Sequence, residues 1–362
     1  QPESSSELDN SVTVRYLAEG AANVVFSLIP YDQYAPSSNE LPFVFCAPGT
    51  YTVCPRSDLI SKVLRVSKKG EKLLSCDIIK QGFENQIRPH FQNGFDQHLM
   101  NHDLISLDIL ALTELDIMLA RQSQHNTGSR SLPQRNGITS RILSPHYGIL
   151  LPNLSSIPNQ SFTIEIKPKW LAQSPTAPKH SYRCRTCAMR AMVRYKQNKT
   201  GKEYDICPLH LVSGNVKYIK RFVHGKYLEA AYSWPEPVLA APDEDELVDT
   251  MTDYLATGPG HALLQHLKHL QVSNDPNGVL KLDKTGDSAQ RSDIISQLRL
   301  AMTLRDCSLF VSARLGPTLS IEKRPRIVLS VDSKLGDLDF KSVEKVDDWD
   351  KKEMELIHGG WY

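Results

Sequence analysis

The sequence predicts a mixed α/β (α+β) chain with room for two domains or two lobes. Three observations carry that expectation. The chain has 362 residues, more than a single hydrophobic core usually serves. Short stretches read as strands: Val12–Tyr16, Val24–Ile29, Lys62–Val66 and Phe162–Ile166, the last two alternating from residue to residue. Later stretches, Leu247–Leu255, His261–Gln271 and Ser292–Leu304, carry apolar residues at helical spacing.

The bulk numbers narrow the function. An apolar fraction of 40% suffices for a core. Forty-two basic residues stand against 41 acidic ones, so any polyanionic partner must meet a local basic cluster. That balance argues against a nucleic-acid partner. No apolar run approaches the roughly 20 residues that span a bilayer, so no membrane role is expected. No secretory segment is visible. The chain opens at Gln1 rather than Met, as a trimmed or partial chain would. Seven cysteines, an odd number, favour a reducing compartment, nuclear or cytoplasmic, over a disulfide framework.

In chain order, residues 1–11 are polar and Ser-rich. The first two strands flank a small-residue turn, Ala18–Asn23, that lets backbone approach a ligand closely. Prolines and a glycine across Tyr31–Arg56 predict a loop. The third strand puts Lys62, Leu64 and Val66 on one face, and Val63 and Arg65 on the other. A helix is expected near Phe95–Met100, and a strand then a helix over Leu107–Leu119. Residues 121–141 lack periodicity and read as a loop with Arg130, Arg135 and Arg141. Tyr147–Leu154 is an apolar strand closed by Pro152.

The strand Ser161–Ile166 runs into Lys167-Pro168-Lys169-Trp170. Pro168 pushes Lys167 toward extended geometry. A chain that stays extended would project Glu165, Lys167 and Lys169 from one side, a rigid phosphate site. Further on, Cys184 and Cys187 are followed after 19 residues by Cys207 and His210. Two short ligand pairs at this separation are what a tetrahedral structural zinc site needs. Pro235–Glu246 reads as a loop, and His261, His266 and His269 as solvated residues on an apolar-striped helix. The helix Ser292–Leu304, with Ser292 as its N-cap, leads into Asp306 and an apolar strand. A carboxylate at such a junction can accept a hydrogen bond from a substrate hydroxyl. After a strand at Ile327–Val331, Asp337, Lys341, Lys345 and Trp349 stand four apart, which on a helix is one face.

Five ordered blocks resemble the inositol-pentakisphosphate 2-kinase family. They are Glu19–Val25 (EGAANVV), Lys62–Arg65 (KVLR), Glu165–Trp170 (EIKPKW), Cys207–Gly214 (CPLHLVSG) and the pair DCS at Asp306 with DLDFK at Asp337. EIKPKW is the most specific, and its continuation with the CRTC string is similar to fungal members. The resemblance implies a two-lobed, kinase-like fold with the larger lobe C-terminal. It puts the N-terminal lobe at 1–151, with the hinge at its end, and the C-terminal lobe at 152–362. It implies ATP-dependent transfer of phosphate to the 2-hydroxyl of inositol 1,3,4,5,6-pentakisphosphate, giving the hexakisphosphate and ADP, by a monomer.

Residue by residue, it implies that Gly20, Ala21, Ala22 and Asn23 cover the nucleotide phosphates. Arg65 and Lys167 hold ATP, and Asp337 holds magnesium, with Asp339 a second acid. Asp306 is the catalytic carboxylate. Lys169, Arg185 (or Arg190), Lys341, Lys345 and Trp349 bind the inositol phosphates. His210 stands where the family has Asp, as a fourth zinc ligand would explain. Lys345 replaces an Arg and loses its bidentate fork. Trp349 replaces a Tyr and loses a hydroxyl. The family's Asn pair has no clear equivalent. Two other classes fit the residues less well. A non-catalytic inositol-phosphate-binding module gains nothing from Asp306 and Asp337 near phosphates. A zinc-ribbon nucleic-acid binder is opposed by the near-zero net charge.

Overall fold

The structure, a computed structural model, describes residues 12–20, 22–30, 59–68, 73–107, 111–113, 115–117, 119, 147–157, 160–198, 205–231, 244–281, 288–316 and 327–362. Ala21, most of the proline-rich stretch with Cys46 and Cys54, and the loop bearing Arg130, Arg135 and Arg141 lie outside the described residues. The architecture is mixed α and β, with two antiparallel sheets and several helices. The chain forms two compact units. One comprises residues 1–82 and 100–153, the other 83–99 and 154–362.

The first unit is a five-stranded antiparallel sheet in the order β1-β2-β3-β5-β4. Its strands are β1 (Val12–Glu19), β2 (Asn23–Pro30), β3 (Lys62–Ser67), β4 (Asp103–Ser106) and β5 (Tyr147–Pro152). Alternation buries Val12, Val14, Val24, Phe26, Leu28, Leu64 and Val66 in one core with Ile105, Leu107 and Leu150. The expected two faces of β3 are not an inside and an outside. Val63, Leu64, Arg65 and Val66 are all buried, because β3 lies in the sheet interior between β2 and β5. Gly148 on β5 is needed for space, since a Cβ there would stand 2.6 Å from Leu64 Cδ1. Helix α1 (Cys76–Gly82) packs on β4 and β5.

The second unit is built on a three-stranded antiparallel sheet of β6 (Ser161–Ile166), β7 (Ser308–Leu315) and β8 (Val328–Gly336), with β7 central. Helices α2 (Arg185–Gln197), α3 (Pro208–Val212), α4 (Val216–Ala231), α5 (Glu244–Ala256), α6 (Pro259–Ser273), α7 (Ser288–Leu304) and α8 (Val346–His358) accompany it. Phe162, Ile164 and Ile166 of β6 enter a core with Leu309, Val311 and Ala313 of β7 and the apolar stripes of α4, α5 and α6. Among the described residues no helix is long and apolar enough to cross a membrane.

Several local expectations need correction. Ser292 is no N-cap, because α7 begins at Ser288 and places it inside the helix. The helix expected near Phe95–Met100 is only a single 3-10 turn, Asp96–His98, preceded by another at Arg88–His90. The four-residue steps from Asp337 do not share a helix face, since α8 starts only at Val346. The stretch before it has period two: Leu338 and Phe340 are buried while Asp337, Asp339 and Lys341 are not. His266 is not simply solvated. Its ring stacks on Phe95 at 4.1 Å and its Nε2 lies 2.9 Å from the carbonyl of His90. Burial lowers its pKa.

Candidate active site

Register brings three loops to one end of the second sheet. Ile166 pairs with Leu309 and Ser308 with Gly336, so the residues just beyond β6, before β7 and after β8 converge. Two charge clusters form there.

In the first, Lys167 Nζ donates to Asp337 Oδ2 at 2.7 Å and lies 2.8 Å from Glu165 Oε1. It also donates to the hydroxyl of fully buried Ser308. That hydroxyl sits 2.8 Å from Glu165 Oε1 and 2.6 Å from Asp337 Oδ2, with one proton for the two. Burial pulls the Lys167 pKa down, but Asp337 and Glu165 outweigh it and leave the pKa above its ordinary value. Lys167 is therefore a cation fixed at the strand end.

In the second cluster, Asp306 accepts from Lys169 at 3.1 Å on Oδ1 and from Lys341 at 2.6 Å on Oδ2. Burial raises the Asp306 pKa, but Lys341 and then Lys169 more than offset this, so it ends below the usual carboxylate value. It stays ionised at neutral pH and can act as a hydrogen-bond acceptor for a hydroxyl. The expected common side for Glu165, Lys167 and Lys169 does not form. Lys169 adopts left-handed backbone, φ 58°, so its side chain leaves the line of the strand and reaches Asp306. Asp337 is also left-handed, φ 54°.

Buried groups hold this arrangement. Gln271 on α6, 1% exposed, donates from Nε2 to the carbonyls of Lys169 at 2.9 Å and Leu304 at 3.2 Å. Its Oε1 accepts from the Leu171 amide at 2.9 Å. One side chain thus ties the Lys169 turn to the end of α7, two residues before Asp306. Beside it, the Arg305 guanidinium stacks over Trp170 at 3.5 Å and pairs with buried Asp275. Thr303 of α7 accepts from the Lys341 amide at 3.1 Å, and Arg299 donates to the Lys341 carbonyl. These bonds seat Lys341 against Asp306. Sequence reasoning missed Gln271 and Ser308. For Gln271 the available signal was a polar residue seven after Leu264, on the buried stripe of α6.

The remaining expected residues fall elsewhere. Arg185 is 8% exposed, bonds Glu353 Oε2 through Nε at 3.0 Å, and covers the other partner of its charge, the Trp170 ring, at 4.4 Å. Arg190 donates to the carbonyl of Ile206 at 2.7 Å. Lys345 closes the 3-10 turn Val343–Lys345 and forms no ion pair among the described residues. Trp349 is buried in a cluster with Trp170, Val279, Leu298 and Met302.

In the first unit the turn after β1 is closed by the Gly20 amide donating to Asn23 at 2.9 Å. The Lys68 amide donates to the Ala22 carbonyl at 2.7 Å, and Lys68 Nζ to the Gly20 carbonyl at 2.7 Å. A Cβ at Gly20 would meet nothing within 4 Å, so the backbone there faces open space. Arg65 is 3% exposed in the middle of β3.

The cysteines converge. The sulfurs of Cys184, Cys187 and Cys207 lie within 4.8 Å of one another, with Cys184 and Cys207 at 3.6 Å. A tetrahedral zinc with Zn–S of about 2.3 Å spaces its sulfurs at about 3.8 Å, so the donor set fits. The N-terminus of α2 assists: Cys184 is its N-cap and accepts from the Cys187 amide at 3.4 Å. Cys207 precedes α3, where its neighbours' sulfurs, then the Leu209 and His210 amides, hold its pKa well below the usual thiol value. His210 does not join the three sulfurs. Its ring stacks on Tyr218 at 4.0 Å. The spacing rule located the cysteines correctly but could not see that aromatic partner.

Two comparisons with known proteins bear on the family. The sequence model of the family described as inositol-pentakisphosphate 2-kinase matches residues 16–355. A protein of Yarrowia lipolytica named inositol-pentakisphosphate 2-kinase is 30% identical over 251 residues, covering 64% of this chain and 70% of its own length.

Proposed function

From the premise that the chain belongs to the inositol-pentakisphosphate 2-kinase family, we propose that it transfers phosphate from ATP to the 2-hydroxyl of inositol pentakisphosphate. The products are inositol hexakisphosphate and ADP. The observation that supports this beyond the family is the Asp306 cluster: an ionised carboxylate held between two lysines from separate loops. A ring with five phosphates carries on the order of eight to ten negative charges, so it needs cations delivered from several elements. Phosphoryl transfer asks the protein for position and electrostatics, not covalent chemistry.

In this reading the fold is two-lobed and kinase-like, divided near residue 151. Asp306 accepts the hydrogen bond of the attacking hydroxyl and orients it. Lys169 and Lys341 take ring phosphates in place of Asp306, with Arg185, Lys345 and Trp349 supporting the substrate. Lys167 holds phosphates of ATP, and within the first unit Arg65 and the turn Gly20–Asn23 are the groups read as nucleotide-binding. Asp337 offers half-exposed carboxylate oxygen, the donor that magnesium prefers while it keeps several waters. That ion would neutralise charge on the phosphates. Cys184, Cys187 and Cys207 would hold a structural zinc, with His210 the expected fourth ligand. Zinc-binding thiols suit an intracellular, reducing compartment. The protein is read as acting as a monomer.

Incubation with ATP, magnesium and the pentakisphosphate tests the reading. Hexakisphosphate and ADP should appear in equal amounts. Tight binding of the pentakisphosphate with no ADP formed would replace the kinase by a binding module.

A further inference from the structure

Cys184, Cys187, Cys207 and His210 form one part of the wall of a cleft of about 750 Å³, and the rest of its lining includes Arg183, Arg190, Arg194 and Arg221 but only one carboxylate, Asp205. Its lining shares no residue with the loops that carry Lys167, Lys169, Asp306 and Asp337. Cys187, Arg190, Ala191 and Arg194 share the cleft face of α2, while Arg185, Ala188 and Met192 are turned inward. The whole chain carries a net charge of +1, so four arginines here are a concentration of charge, not a sample of a basic surface.

The guanidiniums are positioned. Arg183 donates to the carbonyl of Trp361 at 3.2 Å, Arg190 to that of Ile206 at 2.7 Å, and Arg194 to Asp205 at 3.0 Å. Each guanidinium has five N–H groups, and in Arg183, Arg190 and Arg194 these bonds use a small part of them. Tyr182, 99% exposed, stands at the rim. The arginines come from the approach to α2, from α2 itself and from α4, so they surround the space rather than line one edge.

We propose that this cleft is a second binding site, for a small anion carrying several phosphates. A guanidinium fork matches phosphate oxygens in pairs. Four of them exceed what one phosphate can use, and the volume is in the range of ligand pockets. Asp205 occupies the anion's position in the empty cleft, between Arg194 and, at 3.9 Å, Arg190. The inference goes beyond the kinase reading and does not need it.

The test uses the full chain carrying Lys169→Ala and Lys341→Ala, with inositol hexakisphosphate as probe and calorimetry as readout. One saturable binding event should remain. Adding Arg194→Gln and Arg221→Gln should weaken it about tenfold or more. Adding Asp205→Asn should strengthen it, a change of sign that a collapsed cleft cannot give. In an otherwise unchanged chain, Arg194→Gln with Arg221→Gln should leave pentakisphosphate turnover intact. Absence of the remaining event overturns the proposal, as does an Asp205→Asn chain that binds no tighter, or lost turnover in the arginine variants. Should the kinase reading fail instead, turnover would be missing from the unchanged chain while the cleft event persisted.

Discussion

Asp306 and Glu353 are both carboxylates ringed by donors, in the same unit of the chain. The Asp306 side chain is 54% exposed and its two lysines reach it from loops. Glu353 is fully buried, and it bonds Arg185, Ser174, Thr176 and the hydroxyl of Tyr362. Exposed ion pairs of the first kind contribute about 0–1 kcal/mol to stability. Removing one partner of a buried pair costs about 3–5 kcal/mol, because the other charge is stranded. The difference separates cations that an incoming phosphate can take over from a cation already committed. Lys169 and Lys341 belong to the first class. Arg185 belongs to the second, so it acts on a ligand chiefly through the Trp170 ring that it shares with Arg305.

The sharpest way to break this contrast is Asp306→Asn. Turnover should fall about 10²- to 10⁴-fold at saturating substrates, with the melting temperature nearly unchanged. A melting temperature that fell along with turnover would make the Asp306 cluster structural after all. Next comes Glu353→Ala, expected to remove about 3–5 kcal/mol of stability, measured by denaturant unfolding. Acid probes the same group. Burial raises the Glu353 pKa, but the Tyr362 hydroxyl and Arg185 outweigh it and hold the carboxyl below its ordinary 4.5. Such a group stabilises the fold above its unfolded pKa and loses that contribution as pH falls through its folded value. The unmodified chain should therefore lose stability below about pH 4.5, and Glu353→Gln should flatten that slope. The smallest effect is that of Gln271→Met, which keeps volume and removes three hydrogen bonds. It should cost about 2–3 kcal/mol and raise KM for the inositol substrate while leaving KM for ATP unchanged. Equal shifts in both KM values would mean that Gln271 is only part of the core.

How much of this the sequence discloses depends on whether the signal is local. The strands at Lys62 and Ser161 follow from period two, those at Val12 and Val24 from the small-residue turn they flank, and the α6 and α7 helices from apolar spacing. Asp306 stands at the helix-to-strand junction the pattern predicts. The cysteine spacing found three neighbouring sulfurs. Helix α2 escaped because the side it buries consists of Arg185, Thr186, Ala188 and Met192, a stripe with little hydrophobic contrast. The left-handed turn at Lys169 escaped because lysine rarely adopts it, and nothing local announces it. Gln271, Ser308 and the Arg185–Glu353 pair are long-range contacts, set by which helix end meets which strand end. No spacing rule reaches across that distance.

Lys169 and Asp337 occupy backbone that glycine would adopt without penalty, at about 1–2 kcal/mol for a residue such as lysine and less for aspartate. A search for heat-tolerant variants would thus be drawn to Gly at position 169. On the proposed reading, the hardier protein it returned would have lost an ammonium group that meets the substrate. Robustness and chemistry would then pull against each other at a single torsion angle.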